Sequence, residues 1–131
     1  MGNLKDICFD CADPWMLSHW WAEVLGYQVR PYTDEDMAQL RQQGIEQPED
    51  DPNIAVDPVG ESGPSFWFCR VPEQKVVKNR VHVDVYGDVD ELLGRGARMI
   101  DELPRWTVLA DPEGNEFCVF IPDPAASGPP R

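Results

Sequence analysis

Residues 79–86 carry the side chains best suited to chemistry. Their order, Asn-Arg-Val-His-Val-Asp-Val-Tyr, alternates polar and apolar residues, and successive side chains of a strand point to opposite faces. His82 and Asp84 would therefore share one face, about 7 Å apart along the strand. An imidazole beside a carboxylate can transfer a proton near neutral pH.

We predict that His82 is a general base or acid, that Asp84 is its partner and that Arg80 steadies a developing oxyanion. The alternative is a structural polar cluster in which Asp84 accepts a hydrogen bond from Arg80 or from a backbone N–H. The sequence leaves both interpretations open.

The same alternation assigns faces in two further predicted strands, residues 6–11 and 116–121. Asp10 lies on the polar face of the first strand, and Cys118 and Phe120 lie on the polar face of the second. The alternative for Asp10 is an N-cap-like contact with the helix that follows. No base adjoins Cys118 in the sequence, so we expect a ligand contact there rather than a reactive thiol.

The strand predicted at residues 65–71 offers two sets of side chains, and the sequence does not decide which set joins these polar faces. The two sets are Phe66, Phe68 and Arg70, or Trp67 and Cys69. We predict that the polar faces line a pocket for a small organic ligand. The predicted ligand-contacting residues are Asp10, Trp67, Phe68, Arg80, Cys118 and Phe120.

The spacing of Cys8 and Cys11 fits a CxxC motif, which would suggest zinc or redox chemistry. A zinc ribbon needs a second pair, whereas Cys69 and Cys118 lie far apart in the sequence. A strand would also turn Cys8 and Cys11 to opposite faces. We therefore predict reduced, buried thiols in a cytoplasmic protein.

Composition limits the partners of this chain. It has 131 residues, with 11 Lys and Arg against 24 Asp and Glu, so its net charge is −13. Nucleic acid and anionic lipid are excluded as partners, because phosphate groups need a basic surface. No long apolar run predicts a membrane-spanning helix. We expect a single domain, residues 1–125, with a mobile tail at residues 123–131.

Two helices are marked by their ends. Asp13 is a predicted N-cap for a helix over residues 14–25, which Gly26 ends. Asp88 is a predicted N-cap for a second, short helix from Val89 to about Arg95. The acidic residues 34–53 are predicted to be mainly a solvated loop, with a helical piece around Glu35–Gln43.

Two series of elements position the polar side chains. Each series runs strand, helix and three strands, and each has an Asp-Pro-x-Gly turn before its last strand, at residues 57–60 and 111–114. The sequence thus predicts an α+β fold of two βαβββ modules, about residues 4–72 and 79–122.

The resemblance of this chain to a known family is carried by five segments: Phe9–Pro14, Trp20–Tyr27, Val71–Glu73, Lys78–Asp84 and Ala110–Cys118. In these segments the chain resembles the vicinal-oxygen-chelate superfamily, and within it the glyoxalase-like and bleomycin-resistance-like proteins. The resemblance implies the glyoxalase/bleomycin-resistance/dioxygenase fold, with curved sheets around a cleft between the modules, and a homodimer.

The resemblance also implies a divalent metal with His and Glu ligands on the first and last strands of the modules. This chain departs from that pattern, since Cys118 stands where Glu is usual and Asp6 where His or Gln is usual. We expect no metal or other cofactor, with a divalent metal as the alternative.

The functional expectation has two forms. The chain either transforms a small organic substrate in the cleft, as a lyase, isomerase or dioxygenase-type enzyme, or it binds a drug or toxin without catalysis, as a resistance protein.

Overall fold

Each half of the chain folds into its own four-stranded sheet. The structure, a computed structural model, describes residues 1–60 and 63–121, and it divides into two units, Met1–Gln74 and Lys75–Arg131. Both units have the element order βαβββ, with an added helical segment in the first. The predicted α+β class and the two modules are therefore confirmed. The predicted mobile tail, residues 123–131, lies outside the described residues.

The first unit places its first strand beside its last one. The sheet order is β1-β4-β3-β2, with β1 parallel to β4 and the other pairs antiparallel. The elements are β1 (Asp6–Cys11), α1 (Pro14–Leu25), β2 (Tyr27–Val29), α2 (Asp34–Gln42), a 3-10 turn (Pro48–Asp50), β3 (Asn53–Pro58) and β4 (Ser65–Arg70).

Local chemistry explains both helices of this unit. The Asp13 carboxylate accepts a hydrogen bond from the Met16 amide at the start of α1, and Gly26 ends the helix with φ at 67°. That left-handed conformation costs a side-chain-bearing residue energy but costs glycine little. Helix α2 begins with a reciprocal capping box between Thr33 and Asp36. The predicted helical piece in the acidic segment is therefore real and well capped.

The core of the first unit is aromatic. Phe9 contacts Trp21 of α1 at 5.6 Å between ring centroids and Phe68 of β4 at 5.3 Å. Phe66 and Phe68 lie on the same face of β4 and are buried. Phe68 was predicted to contact the ligand, but its side chain is fully buried against Phe9 and α1 covers this face. Strand alternation leaves Trp67 and Cys69 on the opposite face.

The second unit repeats the arrangement with a shorter helix. Its sheet order is β5-β8-β7-β6, and β5 is parallel to β8. Val85, Leu92, Leu109, Phe117 and Val119 form its buried apolar side. The elements are β5 (Asp84–Tyr86), α3 (Val89–Gly94), β6 (Arg98–Glu102), β7 (Thr107–Ala110) and β8 (Glu116–Phe120).

The strand predicted over residues 79–86 is wrong for its first five residues, because β5 includes only Asp84–Tyr86. Val81, assigned to the apolar face by alternation, is 81% exposed. The Asn79 amide donates to the Glu116 carboxylate at 2.8 Å rather than to a neighbouring strand. A side-chain hydrogen bond therefore replaces a ladder bond at Asn79, whereas the Val83 carbonyl still accepts from the Cys118 amide of β8 at 3.1 Å.

Among residues 1–60 and 63–121, no helix combines the length and the apolarity that crossing a bilayer requires.

Candidate functional site

His82, Asp84 and Cys118 form a cluster in the second unit, which we call the triad. Nε2 of His82 lies 3.3 Å from Oδ1 of Asp84. One donor atom from each of the three residues lies within 4.8 Å of the other two. The side chains of His82 and Asp84 are 41% and 57% exposed, so a small molecule can reach them from solvent. The predicted imidazole–carboxylate pair is thus present in the structure.

The register of β5 and β8 explains why Cys118 joins the pair. Asp84 and Cys118 are direct partners across these parallel strands, so their side chains lie on the same face. Burial, followed by the neighbouring Asp84 carboxylate, raises the pKa of the Cys118 thiol. Cys118 is therefore a neutral thiol at pH 7 and a poor nucleophile.

His82 faces Asp84 at ion-pair distance, with 3.3 Å between Nε2 and the Asp84 Oδ1 oxygen, and Nδ1 is the ring nitrogen that does not make this contact. Arg80 is exposed, and it makes no hydrogen bond or ion pair with the other residues that the structure describes.

A hydrogen-bonded network anchors the segment that leads to the triad. Lys75 pairs with Glu116 at 2.9 Å and also donates to the Val77 carbonyl. The Asn79 amide donates to the same Glu116 carboxylate at 2.8 Å. Burial alone would raise the pKa of Glu116, but Lys75 and the Asn79 amide lower it below its usual range.

The network continues into the turn before β8. The Asn79 side chain donates to Asn115 at 3.1 Å, and Asn115 donates in turn to the fully buried Asp111 carboxylate at 2.9 Å. Sequence reasoning treated residues 111–115 as a turn and missed this anchoring role. The signal available was the density of polar side chains, Asp, Asn and Glu, within one short motif.

Phe120 lies on the same face of β8 as Cys118 and stacks on Trp106, with ring centroids 5.9 Å apart. Its partner across the strands is Tyr86. This part of the face is aromatic, which is compatible with the predicted ligand contact at Phe120.

Asp10 and Trp67 lie on the face of the first sheet opposite the core. The register of β1 and β4 pairs Asp10 with Cys69 and Cys8 with Trp67, and the Trp67 indole N–H donates to Asp6 at 3.1 Å. The choice left open by the sequence is resolved in favour of Trp67 and Cys69.

All four cysteines are free. Cys11 and Cys118 are buried and Cys69 is half-buried, but Cys8 is exposed, so the prediction of buried thiols is wrong for Cys8. As predicted, Cys8 and Cys11 point to opposite faces of β1.

The first unit also contains a pocket of about 230 Å³. Arg30 lies over the Trp67 ring at 5.2 Å from its centroid, and two of its nitrogens donate to Asp57 at 2.9 and 2.8 Å. Tyr32 donates its hydroxyl to Asp51 at 2.8 Å. Sequence reasoning missed the pocket, because it treated the acidic segment as solvated loop.

Two units of βαβββ order, each with polar groups on the face opposite its core, define a member of the vicinal-oxygen-chelate superfamily. The model of the glyoxalase-like domain matches residues 6–120. The chain therefore belongs to the glyoxalase-like domain family. No curated protein matches the sequence.

Solved structures share the fold at low sequence identity. The fosfomycin resistance protein FosX from Mesorhizobium loti is 14% identical, with a TM-score of 0.60 over 95% of this chain and 94% of that one. A glyoxalase/bleomycin resistance protein/dioxygenase family enzyme from Burkholderia phytofirmans PsJN is 19% identical, with a TM-score of 0.59 over 90% and 97% of the two chains. FosX from Listeria monocytogenes, solved with Mn(II) and a sulfate ion, is 11% identical, with a TM-score of 0.60 over 95% of each chain.

The Mn(II) in that relative raises the question of whether the triad fits a metal. Its donors are an imidazole nitrogen, a carboxylate oxygen and a sulfur, all within 4.8 Å of one another. A thiolate favours Zn²⁺ over the harder Mn²⁺, and three protein ligands with one open position are typical of catalytic zinc. The triad therefore fits Zn²⁺, which would act as a Lewis acid on a bound oxygen and would displace the Cys118 proton.

Proposed function

We propose that this chain binds a small organic molecule at the triad and transfers a proton on it through Nδ1 of His82. The single observation that carries the proposal is the 3.3 Å contact between His82 Nε2 and Asp84 Oδ1 on an accessible face. An imidazole beside a carboxylate is a common general acid or base in enzymes.

The remaining predicted contacts keep their assigned roles as proposals. Arg80 is close to the triad in sequence and steadies negative charge on the substrate oxygen. Cys118 and Phe120 form the surface on which the ligand rests. Asp10 and Trp67 stay predicted ligand contacts of the first unit, on the face of its sheet opposite the core. This chemistry corresponds to an isomerase or lyase step on a carbon acid.

Deuterium exchange on simple carbonyl compounds tests the proposal. Hydroxyacetone, pyruvate and related small molecules are incubated with the protein in D₂O, and loss of the α-proton signal is followed by NMR. We expect at least one compound to exchange faster with the protein than without it. In His82→Gln the acceleration falls by about 100-fold or more.

The matched control is the second histidine of the chain. His19 is on α1, where Nδ1 lies 2.7 Å from the Trp15 carbonyl oxygen, so His19→Gln should retain full exchange. The proposal would be contradicted if both variants lost the acceleration of deuterium exchange equally, or if His82→Gln kept it. A compound that binds without exchange supports the alternative of a non-catalytic binding and resistance protein.

A zinc-dependent form of the same site is the second candidate, and the arrangement of the triad donors favours it. Metal analysis of protein purified without chelator, with zinc added back, distinguishes the two forms. Stoichiometric zinc that is lost in Cys118→Ser supports the metal form, whereas full exchange activity in metal-free protein supports proton transfer by His82 alone.

We also propose a homodimer. β6 is an edge strand whose five residues are all exposed, including Met99 and Ile100, and an unpaired strand edge readily accepts another chain. Light scattering after size exclusion tests it, and Ile100→Lys should shift a dimer towards the monomer. A cytoplasmic location stays a prediction.

A further inference from the structure

The pocket of the first unit has an apolar base and a polar rim. Its residues come from β3, β4, α2 and the segments that precede and follow α2, so the acidic insertion forms one wall. Leu40, Ile54 and Ala55 are buried at the base. The residues that line the pocket are Arg30, Pro31, Tyr32, Asp36, Gln39, Leu40, Gln43, Asp51, Asn53, Ile54, Ala55 and Trp67.

The acidic groups of the pocket are already bound within the chain. Asp51 accepts from the Tyr32 hydroxyl at 2.8 Å and from the Asn53 amide at 2.9 Å. Asp36 accepts from the Thr33 amide at 2.9 Å as part of the α2 cap. These carboxylates therefore hold the wall together, and they keep their negative charge, which disfavours an anionic ligand.

The neutral groups are available instead. Among the residues that the structure describes, the side-chain amides of Gln39, Gln43 and Asn53 make no hydrogen bond, and Nη1 of Arg30 has no partner. The Arg30 guanidinium is fixed by Asp57, so this free edge has a defined direction. Three amides and one guanidinium edge offer more donors than acceptors.

The aromatic rings and the charged groups of the pocket limit the chemical class of the ligand further. Trp67 and Tyr32 provide aromatic surface for a flat molecule. An anion would face Asp36 and Asp51 in a chain with a net charge of −13, and the charge of Arg30 is already balanced by Asp57. We propose that this pocket binds a ring compound that carries amide or ketone carbonyls and no negative charge, of one ring or a fused pair.

This proposal goes beyond the proposed function, because all pocket residues belong to the first unit and none belongs to the triad. Nicotinamide and 2-pyridone are suitable uncharged probes. Nicotinate and 1-methylnicotinamide share the ring of nicotinamide but carry a negative and a positive charge. Titrations followed by ¹H–¹⁵N spectra report directly on the Gln39, Gln43 and Asn53 amides and on the Trp67 indole.

We expect the uncharged probes to shift these signals and nicotinate to bind at least about fivefold more weakly than nicotinamide, whereas 1-methylnicotinamide should bind no more weakly than nicotinamide. The double variant Gln39→Ala/Gln43→Ala should weaken nicotinamide binding by about fivefold or more. Gln42→Ala, a neighbour on α2 that does not line the pocket, should leave binding unchanged. Gln39 and Gln42 are exposed positions of α2, where alanine is well tolerated, and Gln43 is the exposed residue that directly follows the helix.

Three results would overturn the proposal: no shift of the pocket signals up to the solubility of both uncharged probes, equal binding of nicotinate and nicotinamide, or equal weakening by Gln42→Ala. Asn53→Ala provides a second variant and should also weaken binding. His82→Gln should leave nicotinamide binding intact, so failure of the exchange experiment and failure of this one are distinguishable.

Discussion

Asp84 lies directly beside Cys118 across the parallel strands β5 and β8. Asp10 and Cys69 hold the same relationship on β1 and β4 of the first unit. The repeat thus reproduces a carboxylate–thiol pair, and the residue two positions before each aspartate differs. It is His82 in the second unit and a cysteine in the first, so within the described residues only the second pair has a base suited to neutral pH.

The effect of the Asp84 carboxylate on the pKa of the Cys118 thiol can be tested by substitution. Burial and Asp84 together raise the pKa of Cys118, so Asp84→Asn should lower it and increase the thiolate fraction. Alkylation of Cys118 by iodoacetamide, followed by mass spectrometry, should become about two- to tenfold faster. Asp10→Asn should accelerate the alkylation of Cys69 and leave the alkylation of Cys118 unchanged. Unaltered Cys118 alkylation in Asp84→Asn would show that burial alone sets its pKa.

The Arg30–Asp57 pair should stabilise the first unit in a pH-dependent way. The Arg30 hydrogen bonds hold the pKa of Asp57 below its ordinary value. A carboxyl group whose pKa is lower in the folded state than in the unfolded state raises the free energy of unfolding. This contribution is complete above the unfolded-state pKa of about 4, and it is lost as the pH falls through the folded-state pKa. With solvent screening, Asp57→Asn should cost about 0.5–1 kcal/mol at pH 7.

Urea denaturation at pH 7 and at pH 3 measures that difference. The gap between wild type and Asp57→Asn should narrow at the lower pH. Asp101→Asn removes an exposed carboxylate without a partner among the described residues and serves as control. A gap that widens on acidification would rule out the assigned role of Asp57.

Asp111 should be important for stability. Its fully buried carboxylate accepts hydrogen bonds from the Glu113 and Asn115 amides, each at 2.9 Å. Asp111→Ala leaves these donors without a partner and should lower the free energy of unfolding by about 2–3 kcal/mol. Asp111→Asn keeps the shape and one acceptor, so its cost should be smaller. Equal stability of Asp111→Ala and wild type in urea denaturation would contradict this account.

Glu116 should control the order of the segment before the triad. Glu116→Gln weakens the contacts with Lys75 and the Asn79 amide, so exchange of the Asn79 amide hydrogen should become about tenfold faster. The control is Glu102→Gln on the exposed strand β6. If both variants exchange at the wild-type rate, the contacts at Glu116 do not hold the segment.

Local features of this chain could be predicted from the sequence because they depend on near neighbours. Asp13 and Gly26 fix the ends of α1 through their own backbone chemistry. The order of elements, repeated after Gln74, follows from hydropathy period and turn residues. The shared face of His82 and Asp84 was also expected, although the segment containing His82 is not a strand.

The tertiary structure determines which residues come into contact when they are far apart in the sequence. Only the register of β5 against β8 brings Cys118 to Asp84. Only the tertiary fold brings residues of α2 and of the segment before it to the same pocket as residues of β3 and β4. Residues 79–83 alternate like a strand, yet the Asn79 amide donates to the Glu116 side chain instead of to a neighbouring strand. Hydropathy indicates which side chains prefer burial, whereas the tertiary fold determines which groups form hydrogen bonds across the sheet.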